Sequence, residues 1–325
     1  MKFKTLLFAV ILFLPSVSYS QEGSEYLPDI DGVLKTKAEY DLDNMMLRFE
    51  VRNARFGARG RINRYFSYRA ELDLSDEGRI KMLDAYVRFE PVSRLSFFMG
   101  QRKIPFSTDY IRNPAENIFA NRSFLAKYIN DGMRDIGFYV NYRTAGAFPV
   151  DMTLGAVNGT GNNNPQWIEK PNLAARVTAG RDDGFRIAGN AYMGEAINKI
   201  HLRMYGAEAR YTAGNLFLET EYVYRGWSDT SSVRRHDDGW YIHGYYNFEV
   251  KNEMLRLISP TARYDKMGGS IFGGNTEADR LTLGVNFGFE PKQFTAEIRV
   301  NYENYFRKSL PIHTDKLTLE FIAKF

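Results

Sequence analysis

Polar and apolar residues alternate with a period of two along most of this chain. From Phe66 to Leu74 one parity holds Phe66, Tyr68, Ala70, Leu72 and Leu74, and the other holds Ser67, Arg69, Glu71 and Asp73. Phe294, Ala296, Ile298, Val300 and Tyr302 alternate with Thr295, Glu297, Arg299, Asn301 and Glu303 in the same way. Leu317, Leu319, Phe321, Ala323 and Phe325 stand against Lys316, Thr318, Glu320, Ile322 and Lys324, where Ile322 is out of place. Over 82–90 the apolar set is Leu83, Ala85, Val87 and Phe89, with Met82 the misfit. Such a period places the two sets on opposite faces of a strand. Sixteen segments of this kind can be read, near 32–41, 45–60, 64–75, 80–90, 94–103, 133–143, 149–160, 171–181, 184–194, 200–212, 214–226, 238–250, 254–265, 278–290, 293–306 and 314–325. After Arg52 the alternation slips, with Arg55 and Arg59 on the other parity, which predicts either a bulge or the strand leaving the bilayer.

An even number of amphipathic segments, each long enough to cross a bilayer, predicts an all-β fold: a transmembrane antiparallel β-barrel of about sixteen strands. A soluble sandwich or barrel also alternates. Against it stand a polar parity dense in Arg, Glu and Asp, and aromatics near segment ends (Tyr142, Tyr222, Tyr224, Tyr246, Tyr302), as at a membrane interface. Beyond residue 17 no apolar run is long enough for a membrane helix, which leaves the closed barrel as the only spanning architecture.

The gaps between segments set an orientation. Those at Arg61–Asn63, Pro91–Ser93, Asp182-Asp183 and Lys251–Glu253 are tight, whereas Gly161–Lys170, Trp227–Asp237 and Lys266–Glu277 are longer and polar or rich in Gly and Asn. Short turns belong to the periplasmic rim and long loops to the outside, so the first strand starts on the periplasmic side. The connection 104–132 is out of scale. A loop near thirty residues is uncommon unless it packs or works, and its scattered Ile111, Ile118, Phe119 and Leu125 predict that it is ordered and folds into the lumen.

Residues 1–20 differ from the rest. Lys2 and Lys4, an apolar run from Leu6 to Val17 and the ending Ser18-Tyr19-Ser20 read as a secretory signal peptide, followed by one barrel domain over 21–325. Gln21 rather than Cys follows the expected cut, which argues against a lipid anchor. The chain has 325 residues, a formal charge of +4 and no cysteine. Disulfides, thiolate metal sites and a cysteine nucleophile are therefore excluded. Four dispersed histidines (His201, His236, His243, His313) give no metal centre, no cofactor is expected, and the small net charge gives no pull on nucleic acid.

The run Gly100-Gln101-Arg102-Lys103-Ile104-Pro105-Phe106-Ser107, then Asn121-Arg122-Ser123-Phe124 and Arg134-Asp135-Ile136-Gly137, resembles the phosphate-selective porin O and P family. The stretch 50–60, with Phe66-Ser67-Tyr68 and Glu71-Leu72-Asp73, is similar to that family's second and third strands. Looser matches are Ala174–Val177, Glu219–Tyr222 and Ala262–Asp265. The resemblance implies a sixteen-stranded barrel of the bacterial outer membrane, a homotrimer, passing small anions such as phosphate passively. The terminal Phe325 resembles the signal read by the barrel-assembly machinery.

A pore selects anions by placing Arg and Lys where it is narrowest, because low-dielectric walls strengthen each charge and Arg matches oxyanions bidentately. Arg outnumbers Lys, 28 to 15. The candidates at the constriction are Arg102, Lys103, Arg112, Arg122, Lys127 and Arg134, facing Asp109, Glu116, Asp131 and Asp135. Arg102 and Lys103 are adjacent, so only one can face the lumen of a regular strand. Arg112 and Arg122 have a second reading, as pins from the loop to wall carboxylates such as Glu71 or Asp73. Mixed wall charge can also be a salt-bridge lattice, leaving a general, weakly selective pore or a mainly structural barrel. Enzymatic readings find no support: His243 has no serine at usable spacing, and Gly268–Gly274 lacks the Lys and helix of a phosphate cradle.

Overall fold

The computed structural model describes residues 27–76, 79–126, 134–196, 200–228, 234–290 and 294–325. The expected signal peptide and Lys127 lie outside the described residues. The strands are β1 (Asp29–Asp41), β2 (Met46–Arg61), β3 (Phe66–Asp76), β4 (Arg79–Val92), β5 (Leu95–Lys103), β6 (Arg134–Arg143), β7 (Val150–Val157), β8 (Asn172–Gly180) and β9 (Phe185–Ala196). They continue with β10 (Ile200–Ala213), β11 (Leu216–Ser228), β12 (Arg234–Tyr246), β13 (Phe248–Glu249), β14 (Leu257–Gly268), β15 (Ala278–Gly288), β16 (Ala296–Arg307) and β17 (Lys316–Lys324).

Each strand pairs antiparallel with its neighbours in sequence. β13 resumes β12 after Asn247, and both pair with β14, so the pieces form one stave of a sixteen-strand barrel. Closure comes from β1 and β17, paired from Val33↔Lys324 to Asp41↔Lys316. Gly32 and Phe325 extend that seam by exchanging N–H···O bonds of 2.8 and 3.1 Å. With no open edge, every strand finds its hydrogen-bond partners within the sheet, as a bilayer requires.

The faces are inverted relative to a water-soluble protein. Phe49, Leu154, Leu173, Ile242, Leu319 and Phe321 are exposed on the outside, whereas Lys35, Glu71, Asp73, Arg263, Asp265, Arg299 and Glu320 are buried inside. Lipid is the solvent that makes the outer set favourable.

Two of the register shifts among the described strands correct the simple alternation. Thr36 pairs with Val51 and Lys35 with Asn53, so Arg52 is the extra residue, where the slip in parity predicts one. On β4, Ala70 faces Ala85 but Leu72 faces Met82. The parity changes between those pairs, so Met82 joins Ile80 on the exposed outer face and Leu83 is the one buried. In the interval 227–237, expected to be a long loop, the described residues 227–228 and 234–237 are strand, with pairing carried to Ser228↔Arg234.

Both described ends of the barrel lie on one rim, here the terminal rim, which carries 62–65, 93–94, 144–149, 181–184 and 214–215. The opposite loop rim carries 104–126, 158–171 and 269–277.

Candidate functional site

The long connection leaves β5 at Ile104 and crosses to the far wall. Ser107 caps a single helical turn, α1 (Thr108–Ile111), by accepting from Tyr110 N, and Asn113 caps the 3₁₀ turn Pro114–Glu116 by accepting from Ala115 N. Once the chain has turned away from the sheet, its backbone groups need other partners. Wall side chains supply them. Asp109 N donates to Glu221 on β11 (3.3 Å), Ala120 N to Asn301 on β16 (2.8 Å) and Phe124 N to Asp265 on β14 (3.0 Å). In the other direction Lys35 on β1 donates to Pro114 O (3.1 Å), Arg299 to Ala115 O (2.7 Å), Asn286 on β15 to Ile118 O (2.9 Å) and Arg280 to Arg122 O (3.0 Å). The loop is thus laced to lumen-facing side chains of β11, β14, β15, β16 and β1.

Those side chains are also paired with one another. Lys35 meets Glu320 at 2.9 Å, and Arg299 meets Glu297 at 2.8 Å and Glu320 at 3.3 Å. Arg280 joins Asp265 (2.7 Å) and Glu303 (3.0 Å). On β11, Glu219 receives Arg112 of the loop (2.5 Å), Arg210 of β10 (2.7 Å) and His243 of β12 (3.1 Å). Buried ions need this mutual satisfaction, because removing one partner strands the other in low dielectric.

Within the loop, Asp109 joins the two limbs. Its carboxylate accepts from Ser123 N (3.1 Å) and Ser123 Oγ (2.6 Å), with Arg112 at 3.7 Å and Arg122 at 3.8 Å. Burial acts to raise its pKa, but the Arg122 and Arg112 guanidiniums outweigh that and hold the carboxyl below its ordinary range. Burial brings Arg122 down to about 10, against the opposing pull of Asp109.

Between the loop and the wall, chiefly from β4 to β12 with Lys324 of β17, lies a cavity of about 990 Å³. Nine basic side chains line it, Arg88, Arg102, Lys103, Arg112, Arg143, Arg176, Arg186, Arg210 and Lys324, against four acids, Asp84, Glu116, Asp151 and Asp182. Toward the loop rim the lining turns apolar. Arg176 lines the cavity while Ala174 belongs to a buried apolar cluster; the same step separates Arg186 from Tyr192, Arg210 from Met204, Phe217 from Val223 and Tyr245 from Tyr241. Ile104, Phe106 and Leu125 of the loop complete that cluster.

The expected site residues divide accordingly. Arg102 and Lys103 both line the cavity, which corrects the expectation that adjacency admits only one. β5 ends at Lys103, so its side chain follows the departing chain and donates to the carbonyls of Tyr110, Ile111 and Arg112 at 3.2, 3.0 and 2.9 Å. Arg112 is a pin, as its second reading has it, but to Glu219 rather than Glu71 or Asp73, which Arg69 and Arg55 already occupy. Arg122 donates to the carbonyl oxygens of Asp109 and Arg112, within the loop. Arg134 pairs with Asp84 at 2.8 Å. Arg176, Arg186 and Arg210 are not among the expected constriction residues; their lumen parity on successive strands is the sequence signal that places them at the cavity.

Residues 31–165 match the family model described as phosphate-selective porin O and P. The match agrees with the family that the motifs of this stretch resemble. The whole fold is similar to an anion-selective porin from Comamonas acidovorans, with a TM-score of 0.66 and 8% identity, over 93% of this chain and 100% of that one. It is similar to OmpT of Vibrio cholerae in a trimer form (TM-score 0.63, 13% identity, 92% and 99% covered). It is also similar to Salmonella typhi OmpF in complex with daunomycin (TM-score 0.63, 13% identity, 93% and 98% covered). Among curated proteins there is no significant sequence match. The match over 31–165 and the barrel shared with these outer-membrane proteins support an outer-membrane channel in a bacterial cell.

Proposed function

We propose that this porin is a passive diffusion channel for small anions, phosphate among those to be tested, and that the cavity beside the loop is its permeation path. The observation that carries the reading is the excess of basic over acidic side chains lining that cavity. A water-filled space between low-dielectric walls concentrates counter-ions of the opposite sign, so cations on the lining favour anion entry. Arg102 is the proposed point of first charge contact; Lys103, Arg112, Arg122 and Arg134 shape the constriction by holding the loop and wall. Lys127 is proposed with them from its place in the sequence.

A second reading, a weakly selective pore, is favoured by the pairing of many lining cations with carboxylates, such as Arg88 with Glu90 at 2.6 Å. Efflux from proteoliposomes separates the two: the anion channel releases chloride and phosphate well ahead of potassium, and equal rates support the weakly selective pore.

The terminal rim is proposed to be periplasmic and the assembly a homotrimer, the form also taken by OmpT of Vibrio cholerae. Unheated detergent electrophoresis of the folded protein should then show a band near three chains. Phe325, exposed and seated over Gly32, is the residue proposed to be read by the assembly machinery.

A further inference from the structure

The cations on the cavity lining are not equally available. Arg88 is held by Glu90, Arg112 and Arg210 by Glu219, Arg143 by Asp151, Arg176 by Glu208, Arg186 by Asp182 and Lys324 by Glu116. Lys103 is spent on three loop carbonyls. Arg102 differs: among the described residues no carboxylate lies within ion-pair distance, and its buried Nη1 has no hydrogen-bond partner. Its surroundings are aromatic, with the guanidinium carbon 4.2 Å from the ring centre of Phe98, 5.2 Å from Tyr139 and 5.4 Å from Tyr86.

We infer that Arg102 and the rings of Tyr86 and Phe98 form a binding site for a monocarboxylate with an apolar or aromatic body, in preference to inorganic phosphate. The inference deepens the anion-channel reading and rests on it. A phosphate dianion needs several uncommitted donors and has no apolar surface to place against rings. Here one guanidinium is free to receive one charge, and a fork of N–H groups matches a carboxylate. The aromatic lining beside it rewards burial of an apolar body and would only desolvate a second phosphate charge. The cavity is large enough for a ring-bearing anion.

The test is fluorine-detected NMR with para-fluorobenzoate on the detergent-folded protein, with benzoate and phosphate as competitors, and heat-modifiable electrophoresis to confirm that each variant is folded. The expected result is broadening of the probe signal, reversed by benzoate at concentrations about tenfold or more below those of phosphate. Arg102→Gln should weaken the probe about tenfold or more, as loss of a charge-assisted contact does. Phe98→Leu keeps the charge, and should weaken benzoate while leaving phosphate competition unchanged. Equal competition by phosphate and benzoate, or binding unaffected by Arg102→Gln, overturns the inference. Ion selectivity in a salt gradient is a separate readout: a cation-selective pore would overturn the anion reading itself, whichever competitor wins.

Discussion

Asp109 holds together two limbs of a loop that lies against charged walls, and its carboxylate is useful only while ionised. The sign of the pH dependence follows from its depressed pKa. The stabilisation is fully present above the ordinary carboxylate value of 3.8 and is lost as pH falls through the lower folded value. Loop protease resistance should therefore be flat from about pH 8 to about pH 5 and fall only below about pH 4. Asp109→Asn should loosen the loop at neutral pH; unchanged proteolysis of that variant would show that the limbs are held elsewhere. At the seam, Arg299 serves Glu297, Glu320 and Ala115 O together. Arg299→Met strands two buried carboxylates and should cost about 3–5 kcal/mol, read as a lower urea midpoint of the folded band. Side chains of this kind were legible as lumen-facing, since parity alone assigns their face. Their partners were not: Arg112 and Glu219 are brought together only by the fold, and no local pattern encodes a contact of that range.

At the scale of elements, the strands were readable because lipid outside and charge inside impose alternation on every stave. The errors are local and have a cause. A bulge changes parity, so Met82 looks misplaced on a straight count and is correctly placed in the bulged strand. The hairpin β11–β12 carries its pairing into the polar interval 227–237, because polar residues at the end of a strand do not prevent ladder formation. The loop's contacts with the wall were not legible in detail, and neither was the apolar cluster on its rim side, whose members are single lumen-facing residues on different strands. That cluster has a functional consequence. A hydrophobic constriction resists wetting, so replacing buried Met204 and Val223 with serine should raise single-channel conductance in KCl. A conductance at or below that of the parent would mean that ions bypass the cluster.

For the whole molecule, burial and exposure have meaning only relative to a bilayer. The exposed outer residues form an apolar surface, the interior holds interlocked ions, and beside the loop lies a basic-lined cavity. Total charge says little about this, since the sequence is nearly balanced; placement gives the lining its sign. The family resemblance was legible over the stretch that the porin O and P match covers, while the preferred anion was not, because the donors that remain uncommitted depend on distant pairings. The most direct test is the reversal potential of the purified protein in a planar bilayer under a KCl gradient. The account predicts a potential whose sign reports chloride as the more permeant ion. A potential of the opposite sign, or one near zero, would contradict it.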